Sequence, residues 1–172
     1  MRTIQRPNLV LDPLTAADAS AMFALLQDGS LFRYMDDQPP HSVEQLRAVY
    51  ARRAIGRSPD GTELWFNWIV RSSAGVAMGF VQATLLADGR CLVAYVLGSA
   101  FQGQGYAGQA VQAMLDFLAQ QHGVRRCWAQ VEAQNLRSIH LLERLGFVPA
   151  VALDLAGFEL TASERLYVRT LT

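Results

Sequence analysis

One short glycine-rich segment, residues 102–107 with the sequence Gln-Gly-Gln-Gly-Tyr-Ala, has the composition of an anion-binding turn. It separates an apolar run, Cys91–Leu97, from an amphipathic run over residues 107–121. A turn that leads from a strand into a helix exposes main-chain N–H groups at the positive end of the helix dipole. Gly103 and Gly105 lack a Cβ atom, so a phosphate or pyrophosphate has room to approach the main chain. The alternative interpretation is a flexible turn that binds nothing.

Two other glycine motifs are disfavoured by what surrounds this segment. Gly103, Gly105 and Gly108 have the spacing of the dinucleotide-binding fingerprint, in which the first glycine follows its strand almost at once. Here residues 98–102 intervene after Leu97, and only one further strand–helix step of this kind follows. A Walker-type loop is excluded, because no Gly-Lys-Ser/Thr triplet follows the glycines.

The composition bounds the class of protein. A chain of 172 residues is typical of one domain with a real core. Fifteen basic residues balance fifteen acidic ones without a basic block, so we expect no nucleic-acid partner. With neither a leader sequence nor an apolar run of spanning length, we expect a cytoplasmic protein and no membrane partner. Cys91 and Cys127 lack metal-ligand spacing, which predicts buried free thiols and no metal site.

Hydrophobic periodicity predicts the elements that hold the glycine turn. Helices are expected over residues 15–29, 42–55, 107–121 and 136–145, and strands over residues 9–11, 64–71, 78–86, 91–97, 127–131, 147–155 and 164–171. A helix connects strands 91–97 and 127–131, so they should be parallel neighbours. Residues 92–97 are all apolar or aromatic, which predicts a central strand covered on both faces. The pattern is α+β, a mixed sheet with helices on both faces.

Two stretches together resemble a known superfamily. Gln102-x-x-Gly105-x-Ala107 resembles the pyrophosphate loop of the GNAT N-acetyltransferases, and residues 135–147, from Asn135 to Phe147, resemble their second signature about thirty positions later. The resemblance covers about residues 64–171 and is greatest to the branch that acetylates ribosomal-protein N-termini at alanine or serine. It implies one GNAT-like domain over residues 1–172, with a mostly antiparallel sheet and a splayed central parallel pair.

The resemblance also implies acetyl-CoA as cosubstrate, and a direct acetyl transfer to a primary amine without a protein nucleophile. The pantetheine arm would lie along the splayed strand, with a main-chain N–H near Leu97 facing the thioester carbonyl. The residues implied in binding acetyl-CoA are Tyr95, Val96, Leu97, Gln102, Gly103, Gln104, Gly105, Tyr106, Ala107, Asn135 and Ser138.

The second signature departs from the family at one position. Many members carry a tyrosine seven residues after the asparagine, where it protonates the departing thiolate, but this chain has Leu142 there. Ser138 lies one helical turn earlier on the same face, and the ribosomal-protein branch also has serine at that position. Ser138 is therefore the candidate partner of the CoA sulfur. The alternative is that Ser138 only bonds the Asn135 helix cap.

The general base is less clearly marked. Glu132, at the end of strand 127–131, is the candidate, and Asp36 and Asp37 lie in a loop expected to border the acceptor. Each carboxylate has the alternative of being a solvated surface group, and a base acting through water would leave no signature. His140 falls off the Ser138–Leu142 face, as a surface residue would.

The leading hypothesis is an acetyl-CoA-dependent N-acetyltransferase whose acceptor is a small-molecule or peptide amine. The alternative is a non-catalytic acyl-CoA-binding module that has lost its catalytic groups, as the missing tyrosine would allow. The sequence has no motif for the acceptor or for an oligomeric state, and a homodimer remains open.

Overall fold

The computed structural model describes residues 1–35 and 37–171. Among them are four α-helices: α1 (Ala19–Leu25), α2 (Val43–Ala54), α3 (Tyr106–His122) and α4 (Leu136–Arg144). The strands are β1 (Ile4–Arg6), β2 (Leu9–Pro13), β3 (Glu63–Ser72), β4 (Ala77–Leu86), β5 (Cys91–Leu97), β6 (Arg126–Glu132), β7 (Val148–Pro149) and β8 (Glu164–Thr170). Short 3₁₀ turns cover Ala16–Asp18, Gly29–Phe32, Ser99–Phe101 and Ala152–Leu155.

The strands form one sheet in the order β1-β2-β3-β4-β5-β6-β8-β7. Every neighbouring pair is antiparallel except β5 and β6, which α3 connects. The predicted α+β class, the mixed sheet and the parallel pair are therefore confirmed.

The parallel pair is joined only at its beginning. Cys91 is opposite Cys127 and Leu92 is opposite Trp128, and the pairing ends there. The strands continue to Leu97 and Glu132, so their carboxyl ends diverge and leave a gap in the middle of the sheet. The predicted splay is confirmed.

Helices cover both faces of the sheet. On one face, α3 and α4 pack on a core that includes Cys91, Val93 and Leu97 of β5. On the other face, α1 and α2 enclose a smaller cluster that Val96 borders. The prediction that β5 is covered on both faces is wrong at Ala94, which is exposed on the second face. Alternation along the strand turns its side chain toward a part of the sheet that α1 and α2 do not cover.

Two strand predictions differ from the structure. The expected strand over residues 147–155 is wrong beyond Val148–Pro149, because the ladder ends after the Ala150 amide donates to the Leu166 carbonyl at 2.9 Å and a 3₁₀ turn over Ala152–Leu155 follows. The edge strand β1 was not predicted, since Ile4–Arg6 is short and carries two polar residues.

Three of the four predicted helices are correct to within one residue at each end, but the first, predicted over residues 15–29, is shorter. Asp18 accepts hydrogen bonds from the Thr15 amide and hydroxyl, as the capping pattern indicates, but the first turn is 3₁₀ and α1 ends at Leu25. Ser42 caps α2 by accepting from the Gln45 amide at 3.0 Å. No helix in the described part of the chain is long and apolar enough to cross a membrane.

Candidate functional site

The gap between β5 and β6 has main-chain hydrogen-bonding groups along its β5 edge. The Gly98 amide donates to the Met78 carbonyl at 2.9 Å, so Leu97 and Gly79 form a pair that is not hydrogen-bonded across the β4–β5 ladder. Hydrogen-bonding direction alternates along an antiparallel strand. The N–H and C=O groups of Leu97 and Tyr95 therefore point away from β4, into the gap.

The β6 edge is arranged in the same way. The Ala133 amide donates to the Ser163 carbonyl at 2.7 Å, which makes Glu132 and Glu164 a pair that is not hydrogen-bonded. The main-chain groups of Glu132 and Gln130 consequently face β5, although the Glu132 carbonyl is occupied by the Asn135 amide at 2.9 Å. An extended chain with amide groups can bind between two such edges as an added strand would.

The glycine turn lies at the carboxyl end of β5 and opens α3. Gly103 and Gly105 have φ angles of 76° and 81°, a conformation that favours glycine. The first hydrogen bond at the start of α3 runs from the Gln109 amide to the Gly105 carbonyl at 3.2 Å. The three N–H groups that begin the helix, those of Tyr106, Ala107 and Gly108, precede this bond and have no acceptor within the helix. They are available to an anion.

The two glutamine side chains of the turn have structural contacts. Gln102 donates from Nε2 to the Leu97 carbonyl at 2.7 Å, and its Oε1 accepts from Arg137 of α4. Gln104 donates from Nε2 to the Ala100 carbonyl at 2.9 Å. These bonds fasten the turn to β5 and α4. The main-chain N–H of Gln102 donates to the Ser99 carbonyl oxygen at 3.3 Å.

Arg137 is a residue that the sequence analysis missed. Its contact with Gln102 brings an exposed guanidinium group to the glycine turn, where positive charge favours a phosphate. The available signal was its place two residues after Asn135 in the second signature.

Asn135 and Ser138 meet at the start of α4. Asn135 Oδ1 accepts from the Ser138 amide at 3.2 Å and so caps the helix. The cap uses the main-chain N–H of Ser138, so the Ser138 hydroxyl can have a different partner. Ser138 Oγ lies 2.7 Å from the hydroxyl oxygen of Tyr95. Leu142, one turn later, is 1% exposed and packs in the main core.

The Tyr95 side chain thus joins β5 to α4, a contact that the sequence analysis did not predict. Burial raises the pKa of the Tyr95 phenol, while the Ser138 hydrogen bond and the Arg144 charge act in the opposite direction. The phenol is therefore protonated in the neutral pH range, and either hydroxyl of the Tyr95–Ser138 pair can be the donor.

Glu132 does not meet Ser138. Alternation along β6 turns the Glu132 side chain to the α1–α2 face of the sheet, whereas Ser138 lies on the α3–α4 face. Glu132 Oε1 accepts from the Ser163 hydroxyl at 3.2 Å. His140 is exposed, as predicted. Of the two loop carboxylates, Asp37 is described and exposed, and Asp36 lies outside the described residues.

A cavity of about 300 Å³ lies on the α1–α2 face beside β5. Phe80 and Val96, which are paired across the β4–β5 ladder, line it together with Tyr50 of α2. Asp37 and His41 line it from the loop that precedes α2. Val96 adjoins Leu97, so the cavity borders the gap.

The Tyr50 hydroxyl has no hydrogen-bond partner among the described residues, although the residue is only 1% exposed. Burial raises the pKa of Tyr50 to about 12, with a smaller opposing effect from the Arg53 charge. A buried polar group without a partner is uncommon in folded proteins. Tyr50 is among the residues that line the cavity, and its hydroxyl oxygen is covered by the surrounding residues.

The two cysteines lie side by side at the point where β5 and β6 are still paired. Both are free and fully buried. The neighbouring thiol and burial raise the pKa of Cys127. Since thiolates are the nucleophilic form of cysteine, this neutral buried thiol is not an activated nucleophile.

The chain is similar to known acetyltransferases. The family model described as "Acetyltransferase (GNAT) domain" matches residues 8–148. A relative from Bacillus licheniformis, "Uncharacterized N-acetyltransferase p20", is 30% identical over 149 residues, which cover 86% of this chain and 83% of the relative.

Two solved structures share the fold along nearly the whole chain. One is RimL, a ribosomal L7/L12 alpha-N-protein acetyltransferase in complex with coenzyme A, with a TM-score of 0.82, 19% identity and coverage of 98% of both chains. The other is the spermidine N-acetyltransferase of Vibrio cholerae in complex with CoA and spermine, with a TM-score of 0.73, 18% identity and coverage of 96% of both chains.

Proposed function

The chain belongs to the GNAT acetyltransferase family and is an acetyl-CoA-dependent N-acetyltransferase, and we propose that it acetylates a primary amine held in the cavity beside β5. The observation that carries the proposal is the gap between β5 and β6. The gap leads from the glycine turn to the cavity, so one extended cosubstrate can reach both.

In this proposal the pyrophosphate of acetyl-CoA binds at the glycine turn. The acceptorless N–H groups at the start of α3 and the nearby Arg137 charge favour an anion there. The pantetheine arm then extends through the gap and exchanges hydrogen bonds with the main chain of Tyr95, since the Leu97 carbonyl is bonded to Gln102.

In the proposed transfer, the amine enters from one face of the sheet and the thiolate leaves toward the other. The amine approaches from the α1–α2 face, where the cavity lies, and the Leu97 N–H stabilises the oxyanion as the C–N bond forms. The thiolate leaves toward the α3–α4 face, where Ser138 donates a hydrogen bond to the sulfur. Neither step requires a covalent protein intermediate.

Glu132 is proposed as the group that accepts the proton of the amine. Its side chain is on the α1–α2 face, the same face as the cavity. We expect Glu132→Gln to lower kcat by roughly 10²-fold or more, since general base catalysis is typically worth about 10²–10⁴-fold. Glu164→Gln is the control, because Glu164 is opposite Glu132 on β8, one strand farther from the gap. An unchanged kcat in folded Glu132→Gln would assign the proton to another group, such as Asp37 or water.

The cavity favours a peptide N-terminus or a small amine over a polyamine. Among the described residues that line it, Asp37 is the only acid and Arg53 the only arginine. A polyamine carries several positive charges and needs several carboxylates, whereas a peptide N-terminus carries one ammonium group and adjacent amide groups. In this proposal the Tyr50 hydroxyl, which is covered in the structure, becomes accessible when the acceptor binds and donates to such an amide carbonyl.

The test is thiol release from acetyl-CoA with a panel of N-terminal peptides, small amines and spermidine. We expect amine-dependent release that is fastest with one class of peptide N-termini. A protein that binds CoA tightly but releases no thiol with any amine would contradict the proposal and favour a non-catalytic acyl-CoA-binding module.

A further inference from the structure

We propose that Tyr95 is a positioning residue for proton delivery: its phenol donates to Ser138 Oγ and thereby directs the Ser138 hydrogen to the CoA sulfur. This inference rests on the proposed function, since it concerns the departure of the thiolate. It gives Tyr95 a side-chain role in addition to the main-chain contacts of β5.

The geometry supports this direction of donation. Tyr95 Oη lies 2.7 Å from Ser138 Oγ and 3.4 Å from the Ser138 carbonyl oxygen. A serine hydroxyl has one hydrogen to donate and can accept through two lone pairs. If Ser138 gives its hydrogen to sulfur, the short contact persists only with Tyr95 as the donor.

Ser138 needs such a partner because of its place in the helix. A serine in a helix commonly turns its hydrogen toward a main-chain carbonyl of the preceding turn. A hydrogen bond received from Tyr95 fixes the position of the oxygen and leaves its own hydrogen free. The Asn135 cap does not compete, because it binds the Ser138 amide and not the hydroxyl.

The protonation of the Tyr95 phenol and the residue at position 142 also support this role. The Tyr95 side chain is partly buried, and this burial raises the pKa of its phenol, so the phenol is protonated at neutral pH. Leu142, at the position where many family members carry tyrosine, is an apolar core residue and offers no proton. Tyr95 approaches the same helix from β5, so the phenol is supplied by a strand instead of by α4.

The step balances as follows. The C–N bond forms and the C–S bond breaks, and the electron pair of the C–S bond remains on sulfur. Sulfur takes the proton of Ser138, Ser138 Oγ takes the proton of Tyr95 as it does so, and the phenolate regains a proton from water. The ammonium of the acceptor has meanwhile lost two of its three protons, one to the base and one to the solvent, and the amide nitrogen keeps the third.

The experiment is a double-mutant cycle of Tyr95→Phe and Ser138→Ala, measured as kcat with an amine that the wild type acetylates. We expect Tyr95→Phe to lower kcat by roughly 10-fold and Ser138→Ala by roughly 10- to 10²-fold, with the KM for acetyl-CoA nearly unchanged. The double variant should be no slower than Ser138→Ala, because Tyr95 reaches the sulfur only through Ser138.

Tyr167→Phe is the matched control, because its hydroxyl also contacts α4, at 3.4 Å from Glu143 Oε1. It should leave kcat unchanged. Thermal unfolding of each variant shows whether it is folded. In the Ser138→Ala background, the Tyr95→Phe change should have no effect on kcat.

Multiplicative effects in the double variant would overturn the inference, and so would an unchanged kcat in Tyr95→Phe. These outcomes are distinct from a failure of the proposed function, in which the wild type itself would release no thiol with any amine.

Discussion

Two tyrosines, the buried Tyr50 and the partly buried Tyr95, lie on opposite sides of the sheet close to the gap, and their hydroxyls differ in hydrogen bonding. Tyr95 is bonded to Ser138, whereas Tyr50 has no partner among the described residues. A buried hydroxyl without a partner costs about 1–3 kcal/mol of stability. Its position in the lining of the cavity suits a residue that is paired only when the acceptor is bound.

Tyr50→Phe should therefore separate stability from function. We expect the variant to unfold at a higher temperature by a few degrees, since it removes an unsatisfied polar group. The KM for the acceptor should rise, while the KM for acetyl-CoA stays constant. Tyr34→Phe is the control, because Tyr34 is partly exposed and does not line the cavity. A lower unfolding temperature together with an unchanged acceptor KM would contradict this role.

The pH dependence of stability provides a second measurement on Tyr50. The folded-state pKa is raised to about 12, whereas an unfolded tyrosine titrates near 10. Between these values the unfolded chain binds fewer protons than the folded one, so stability falls as pH rises from about 10 to about 12. Denaturant titrations should show a smaller fall over this window in Tyr50→Phe than in the wild type.

At the scale of elements, the β4–β5 ladder holds the edge of the gap in position. A Cβ atom at Gly79 would lie 2.0 Å from the Val96 carbonyl oxygen and 2.9 Å from Leu97 Cα. The strands approach this closely beside the residue whose N–H is proposed to face the thioester. Gly79 therefore fixes the path of β5 at Leu97, where the acetyl transfer is proposed to occur.

Gly79→Ala should destabilise the fold and displace Leu97. We expect a loss of about 2 kcal/mol or more, because the clash is with main-chain atoms that cannot rotate away. Urea unfolding measures the loss as a lower midpoint, and kcat should fall in protein that remains folded. Gly29→Ala is the control, since a Cβ there meets nothing within 4 Å. Equal midpoints for the two variants would show that the ladder tolerates the extra atom.

Local sequence patterns predicted the elements better than their arrangement. The bounds of β5 were correct because an uninterrupted apolar run ends at Gly98. The splay is set by long-range pairing and followed only from the resemblance. The Tyr95–Ser138 contact joins residues 43 positions apart, so no local pattern contains it. Ala94 was misjudged because an apolar residue within an apolar run looks like a core residue, even where no helix covers the sheet.

At the scale of the whole molecule, the balance of charge limits the partners. Fifteen basic residues offset fifteen acidic ones, and the formal net charge is zero. Binding to nucleic acid depends on the release of counterions from phosphates by clustered positive charge. Positive charge at the site is instead local, at the glycine turn and Arg137, and suits a single small anion.

Mobility-shift assays at physiological salt should therefore show no retention of DNA or RNA at micromolar protein. A peptide whose N-terminus is acetylated by the enzyme provides the positive control for active protein. Tight retention that weakens steeply with added salt would overturn the expectation.

Acetyl-CoA is proposed to bind with its pyrophosphate on the glycine turn, and calorimetric titration of CoA tests this binding mode most directly. Gly105→Ala adds a methyl group to the turn at a φ of 81°. Gly75→Ala has the same backbone strain, at a φ of 83° with nothing within 4 Å, in the β3–β4 connection.

We predict that Gly75→Ala binds CoA as the wild type does and that Gly105→Ala binds about 10-fold more weakly or worse, while both lose similar stability. Equal CoA affinity in folded Gly105→Ala and Gly75→Ala would contradict the account.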